Sequence, residues 1–391
     1  MQHSFFLFIS AFWCTLSFAQ DTTFYDKSWQ RSSRTEATYY RIVSEEDSRW
    51  VKRDFFRSND QPQSVAFYLT RDFKRPIGKL AVWFESGAKY KIAVYDTSGA
   101  YTQTLWYENG QVKNKGQYNA KDQRIGTWEE YYESGPLSQK GEYKQGGKFG
   151  RWQYWYENKQ AHQVLEFVRK GPFGFKTLLI DFWDRTGEQT LKDGTGSIRE
   201  VFNDSSQQVR FEGEVENKKR VGLWTVYHPD GSRMESVFYD KKGMVHGLHQ
   251  YFYPDGKIEM EGHWKHGKKS EKWVYKSPEG EILWEKTYDT PETASYRFGE
   301  REPLPINMKQ LVQYIGYPKE ARDAGIEGQM IVRVLISKEG RYEKHRIIRS
   351  PHPMIDKVVE AHLDKIRFIP GIQRSGYIKF WVNIPFNFQL N

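Results

Sequence analysis

Between residues 80 and 286 one short signature keeps returning: a glycine, any residue, then a tryptophan. It stands at Gly126-Thr127-Trp128, Gly150-Arg151-Trp152 and Gly222-Leu223-Trp224. Gly247-Leu248-His249 and Glu271-Lys272-Trp273 hold the same places with one substitution each. The step from 126 to 150 is 24 residues and from 222 to 247 is 25, so one small unit is being reused. About eight residues after each signature comes a turn pair: Ser134-Gly135, Asn158-Lys159, Asp230-Gly231, Asp255-Gly256 and Glu279-Gly280. Earlier copies end at Ser86-Gly87 and Asn109-Gly110. A second mark follows the turn, at Gly116-Gln117-Tyr118, Gly141-Glu142-Tyr143, Gly213-Glu214-Val215 and Gly262-His263-Trp264.

Turn glycines between alternating segments indicate β-hairpins, because the turn needs positive φ. Trp152, Tyr154 and Tyr156 fall on one side of a strand and Arg151 and Gln153 on the other, with Trp155 out of phase. The expected architecture is an elongated antiparallel β-hairpin repeat meander over 80–286. Residues 20–79 carry strand-like pieces and would supply an atypical β cap. The copies between 177 and 221 are degenerate, so a bend or break of the sheet is expected there. Composition agrees: aromatics make up 16% of residues, yet mean hydropathy is −0.81, which suits half-exposed sheets better than one thick core. These marks resemble MORN-type repeats of the variant common in exported bacterial proteins. That likeness implies a structural or protein-binding role and brings no catalytic residue.

At the start of the chain, residues 5–19 form an apolar run ending in Ser17-Phe18-Ala19, small residues at signal-peptidase spacing. The run is short for a membrane span. Residues 1–19 are therefore expected to be a signal peptide, with Gln20 the new N-terminus and the periplasm the destination. The n-region lacks Lys and Arg, which leaves an uncleaved inner-membrane anchor as the alternative. The single cysteine, Cys14, lies in this leader, so the mature chain has no disulfide, thiol chemistry or cysteine-ligated metal.

The last ninety residues read differently. A short helix from Lys319 ends at Gly325. A strand follows with Met330, Val332, Val334 and Ile336 on one face, then a Glu339-Gly340 turn and a second strand. A helix over 354–366 carries Ile355, Val358, Val359, His362 and Ile366 as one stripe, with His362 as a core histidine, and a strand over 377–388 closes the chain. This is a small α+β domain, two helices on a three-stranded antiparallel sheet, behind a linker at 287–304. The overall fold class is mainly β with a C-terminal α+β domain.

Residues 305–391 resemble the TonB C-terminal domain family. The likeness rests on Tyr317, Pro318, Ala321, Gly325, Gly328, the Glu339-Gly340 turn, Ser350, Asp356, Phe368, Pro370 and the closing strand with Trp381, Pro385 and Phe388. It implies a domain that binds a short extended segment of an outer-membrane transporter beside its sheet, by β-augmentation. By this analogy the partner-binding edge is Tyr377, Ile378, Lys379, Phe380, Trp381 and Val382. The partner implied is an envelope or outer-membrane protein such as a TonB-dependent receptor, with an inner-membrane motor added if the leader is retained. The domain holds 14 Lys and Arg against 8 Asp and Glu, a net +6, while the remainder holds 45 against 42. Nucleic acid is not the expected partner of an exported chain.

Other chemistry is weighed and set aside. His246, His249, His263 and His266 are spaced as two pairs that a hairpin could bring together. However, His249 occupies a tryptophan packing position and His263 a solvent-facing one, so neither a metal nor a cofactor is expected. Gly194-Thr195-Gly196 lacks the spacing and helix start of a phosphate loop. No nucleophile has a base and an orienting acid near it in sequence. The expectation is a non-enzymatic binding protein with a β-repeat spacer. The alternatives are an anchored TonB-type energy transducer and an envelope glycan binder using exposed aromatic rings.

Overall fold

The structure is a computed structural model and describes residues 22–170, 174–202, 207–294, 296–373 and 376–390. The expected leader lies outside the described residues. The chain divides into two compact units, Met1–Leu178 and Leu179–Asn391.

In the first unit, antiparallel strands pair in chain order from Thr23–Tyr25 through Ala161–Lys170. The expected cap is part of this ladder, since Pro62–Tyr68 pairs with Ile77–Trp83, the first strand of the repeats. Two kinds of turn alternate. At Asn109-Gly110 only the glycine has positive φ, 86°, and the Asn109 side chain accepts the Gln111 N–H at 3.0 Å. The register slips beside it, so this is a turn with a glycine bulge rather than a two-residue hairpin. At the opposite end of the strands, Gln145-Gly146 bridges Lys144 and Gly147 with φ of 53° and 83°, a tight mirror-image turn. Asn217-Lys218 and His266-Gly267 do the same in the second unit.

The two glycine marks have one joint explanation. Gly150, at φ 64°, opens a bulge: three residues of its strand sit opposite Gly141. Trp152 is thereby folded across the ladder onto Gly141, where a Cβ would stand 2.3 Å from the indole Cδ2. The indole Nε1 donates to the carbonyl of Glu142, the next residue, at 3.1 Å. Trp128 on Gly116 repeats this in the first unit, and Trp224 on Gly213 and Trp273 on Gly262 repeat it in the second. All four indoles are at most 1% exposed. A cation four residues earlier covers the other ring face: Arg124, Lys148, Arg220 and Lys269 stand 3.9–4.8 Å from the ring centroids. Where His249 replaces the tryptophan, the cation is replaced by Val245. These four rings are thus consumed by packing.

Glu271 stands where the other copies have the bulge glycine, and it is held at φ 57°. Glu271→Gly is expected to raise stability by about 1 kcal/mol, measured by chemical denaturation, because a side chain at positive φ is penalised. A loss of stability would show that this copy forms its bulge differently.

In the second unit the ladder is continuous from Phe182 to Thr293 among the described residues, through the short strand Gln189–Lys192. The boundary between the two units, at Leu178 and Leu179, falls at the start of the segment where a bend or break is expected, and from Phe182 on the ladder of described strands does not break. Ile282–Thr293 is one twelve-residue strand and takes up the first part of the segment expected to be a linker. After it the chain lies down on the sheet. Phe298 meets Trp224 edge-on at 5.2 Å and Tyr296 packs at 5.8 Å from Trp264.

The C-terminal domain follows. Leu304–Pro305 pairs with Phe368–Ile369, and the main sheet has the order Tyr342–Arg349, Gly328–Ile336, Phe380–Phe388, all antiparallel. Met330, Val332, Val334 and Ile336 are fully buried beneath Leu311, Ile355, Val359 and Leu363. Three helices pack here: α1 (Met308–Ile315), α2 (Lys319–Asp323) and α3 (Pro353–Glu360). The first was not anticipated. Its two inward residues, Leu311 and Ile315, are a single i, i+4 pair in a polar stretch. The helix expected over 354–366 stops at Glu360 and tightens into a 3-10 turn at Leu363–Lys365. There the His362 Nδ1 lies 2.8 Å from the Val358 carbonyl, so this histidine caps the helix end, half-buried, rather than filling the core.

Candidate functional site: the outer edge of the C-terminal sheet

Phe380–Phe388 pairs along its whole length with Gly328–Ile336, and no strand pairs with its other side among the described residues. The residues expected at this edge separate into two groups. Tyr377 and Ile378 belong to a different hairpin, Gly371–Gln373 against Gly376–Ile378. The final strand therefore starts at Phe380, not 377. Burial among the repeats pushes the Tyr377 phenol well above its usual range, with Glu259 adding to the rise. Lys379 is the connector and forms an ion pair with Glu343 at 2.7 Å. Phe380 faces inward over a cavity of about 380 Å³ that Trp264, Trp273, Lys269 and Ile372 also line. Val382 packs against the domain core, and only Trp381 lies on the outer face.

That outer face is set by strand alternation. With Val332, Val334 and Ile336 inward, Arg333 and Leu335 point outward. Leu335 is opposite Trp381 on one side and Lys344 on the other; Arg333 is opposite Asn383 and Arg346. Three cations converge on the indole of Trp381: Arg333 at 5.6 Å, Arg346 at 5.8 Å and Lys344 at 5.9 Å from the ring centroid. Among the described residues no carboxylate lies within ion-pair distance of any of the three.

The remaining expected positions are structural. Tyr317 donates to the Ile326 carbonyl and meets Phe388 edge-on at 5.6 Å. Pro318 starts α2, and Ala321 within it is fully buried. Gly325 ends it at φ 65°. A Cβ on Gly328 would meet Pro351 at 2.9 Å, and one on Gly340 would meet the Phe368 carbonyl at 2.0 Å. Ser350 donates to Asp356, which ties the start of α3. Phe368 is buried, and the Pro370 carbonyl accepts the Arg301 Nε–H at 3.1 Å.

Arg301 belongs to a group of residues that local sequence pattern does not mark. Its guanidinium makes two bonds to the buried Glu259 carboxylate, at 3.0 and 2.8 Å, and covers the Tyr251 ring at 4.7 Å. Burial alone would lower its pKa, but Glu259 overrides this and the guanidinium stays charged. A second buried carboxylate, Glu235, accepts the Tyr296 hydroxyl at 2.8 Å and the Gly299 N–H at 3.0 Å. It also accepts from His249 Nε2 at 2.8 Å. Trp264 Nε1 can only donate, and it lies 3.0 Å from His249 Nδ1, so the His249 proton is on Nε2. The signal available in sequence was an acid on an inward strand face, Glu235 in phase with Val237 and Tyr239. Residues 296–301 are thus a strap that fixes the C-terminal domain to the repeats of its own unit, where a free linker was expected.

The four histidines weighed for metal do not converge. His249 is in the buried network, His246 and His266 stack at 4.6 Å with His266 on Asp240, and His263 lies near Glu271. No group of three metal-type ligands occurs among the described residues.

Residues 313–390 match the family described as Gram-negative bacterial TonB protein C-terminal, and residues 102–120, 124–145 and 245–266 match the MORN repeat variant. The chain carries MORN-type repeats followed by a TonB C-terminal domain. The TonB match covers the sheet, α2, α3 and the free edge described above, and the MORN matches fall on the glycine and tryptophan marks. No curated protein matches the chain. Among solved structures, one titled "Crystal Structure of TcdB2-TccC3-Cdc42" is similar over 70% of this chain at 10% identity and a TM-score of 0.17. This chain spans 16% of that one, a likeness too slight to carry an argument. No helix among the described residues is long and apolar enough to cross a membrane.

Proposed function

We propose that this TonB-like envelope protein is a non-enzymatic, exported binding protein whose C-terminal domain takes an extended segment of a partner protein along Phe380–Phe388. The observation that carries the reading is the unpaired edge of that strand within a domain held by the strap. An unpaired edge presents main-chain donors and acceptors that an added strand satisfies. Because residues 296–301 are anchored, less disorder is lost when a partner docks than with a free linker. The repeats serve as the platform that presents the head. The partner class favoured is an envelope or outer-membrane protein, with TonB-dependent receptors the first to try.

A photoreactive amino acid at Asn383, on the outer side of the edge strand, tests this in cells. The expected result is a covalent adduct to a protein through an extended segment of its chain. The control is the same group at Met354, an exposed position on α3, which should give none. Equal adducts from both positions, or none from Asn383, would remove the edge from the account.

A further inference from the structure

The edge strand has a chemistry of its own beyond being unpaired. Three cations on three adjacent positions of two strands lean over one tryptophan, and that tryptophan is on the strand with the free edge. Two cations that cover tryptophans in the first unit are drawn into other bonds. Arg124 reaches Tyr143 and Glu130, and Lys148 reaches Gln139 and Tyr154. Arg333, Lys344 and Arg346 are exposed and, among the described residues, have no carboxylate within ion-pair distance, only one another and the indole. Like charges gathered this closely repel unless an anion joins them.

We infer that the segment received by this edge is acidic on the side chains that face Trp381. The inference rests on the edge-strand reading of the site. A strand added beside Phe380–Phe388 places every second side chain on the Trp381 face. Carboxylates there lie two strands from Arg333, whose guanidinium fork can donate to one in bidentate form, while Lys344 and Arg346, one strand further away, favour them through their field across the Trp381 ring. The apolar side chains between them would extend the opposite face, beside Val382 and Ile384. An alternating acidic and apolar segment therefore satisfies both faces at once. A polyanion without a strand-forming backbone would use the cations but leave the edge unpaired.

The test uses the full chain and end-capped hexapeptides of alternating glutamate and valine. Comparison peptides carry glutamine for glutamate, or N-methyl groups on the alternate amides that would pair. The glutamate peptide is expected to bind about tenfold tighter than the glutamine peptide at low salt, and the preference should fade as salt is raised. In R333Q/R346Q the preference should fall below about twofold, while the thermal midpoint stays unchanged because both side chains are exposed. Equal binding of both peptides overturns the acidic preference and leaves the edge reading intact. Binding that survives N-methylation, or competition by heparin without protection of the strand, assigns the cations to a polyanion and overturns the inference. If neither peptide binds, both readings fail.

Discussion

Replacing Glu259 with glutamine is expected to cost about 3–5 kcal/mol in the second unit, the largest effect of any single polar substitution considered. The change keeps the shape of the side chain but leaves the Arg301 guanidinium buried and uncompensated. Thermal unfolding should start roughly 10 °C earlier, and protease should cut within 294–304 before the rest of the unit opens. Glu259→Met combined with Arg301→Met should recover most of the loss, since removing both charges also removes both desolvation penalties. If the single substitution is neutral, the strap is not anchored as described. The C-terminal domain would then be held by apolar contacts such as those of Leu304, Ile306, Ile369, Ile372 and Tyr377.

The second large effect concerns the glycine that lies beneath each tryptophan. Gly262→Ala should cost about 3 kcal/mol although alanine suits a strand no worse than glycine does. Its Cβ would be 2.1 Å from Trp273 Cδ2. The ring cannot retreat, because Lys269 stands 4.2 Å from its centroid and Trp264 meets it edge-on at 5.8 Å. Trp273→Ala should cost about 3–5 kcal/mol by itself. Once the indole is gone, adding the alanine at 262 should cost almost nothing further, since the clash has no second party. Additive losses in this double-mutant cycle, read by chemical denaturation, would separate the two sequence marks that the fold joins.

The repeat was legible because its constraints are local. Gly150 and Trp152 are two residues apart, and both are demanded by one bulge. The partner Gly141 was visible as a second mark, but its role was not, since contact between the marks depends on strand register. The tight turns at Gln145-Gly146 and His266-Gly267 are weakly marked in sequence, because Gln and His are less common at positive φ than Asn or Asp. The strap was read as a linker for a similar reason. The segment 287–304 holds Pro291 and Pro303, residues common in open chain, whereas what holds 296–301 is Glu235 and Glu259, 42 to 64 residues earlier in sequence. The family motif in the C-terminal domain located the domain, while the edge expected from Tyr377 begins at Phe380. Most of its residues build the fold, and the three cations around Trp381 lie outside it.

Backbone hydrogen exchange of the full chain, with and without the alternating glutamate and valine peptide, tests the central claim most directly. Pairing at the edge predicts slowed exchange at amides within Phe380–Phe388, with Gly328–Ile336 and the repeats unchanged. Protection confined to the helices or the repeats, with Phe380–Phe388 exchanging as in the free protein, would contradict it.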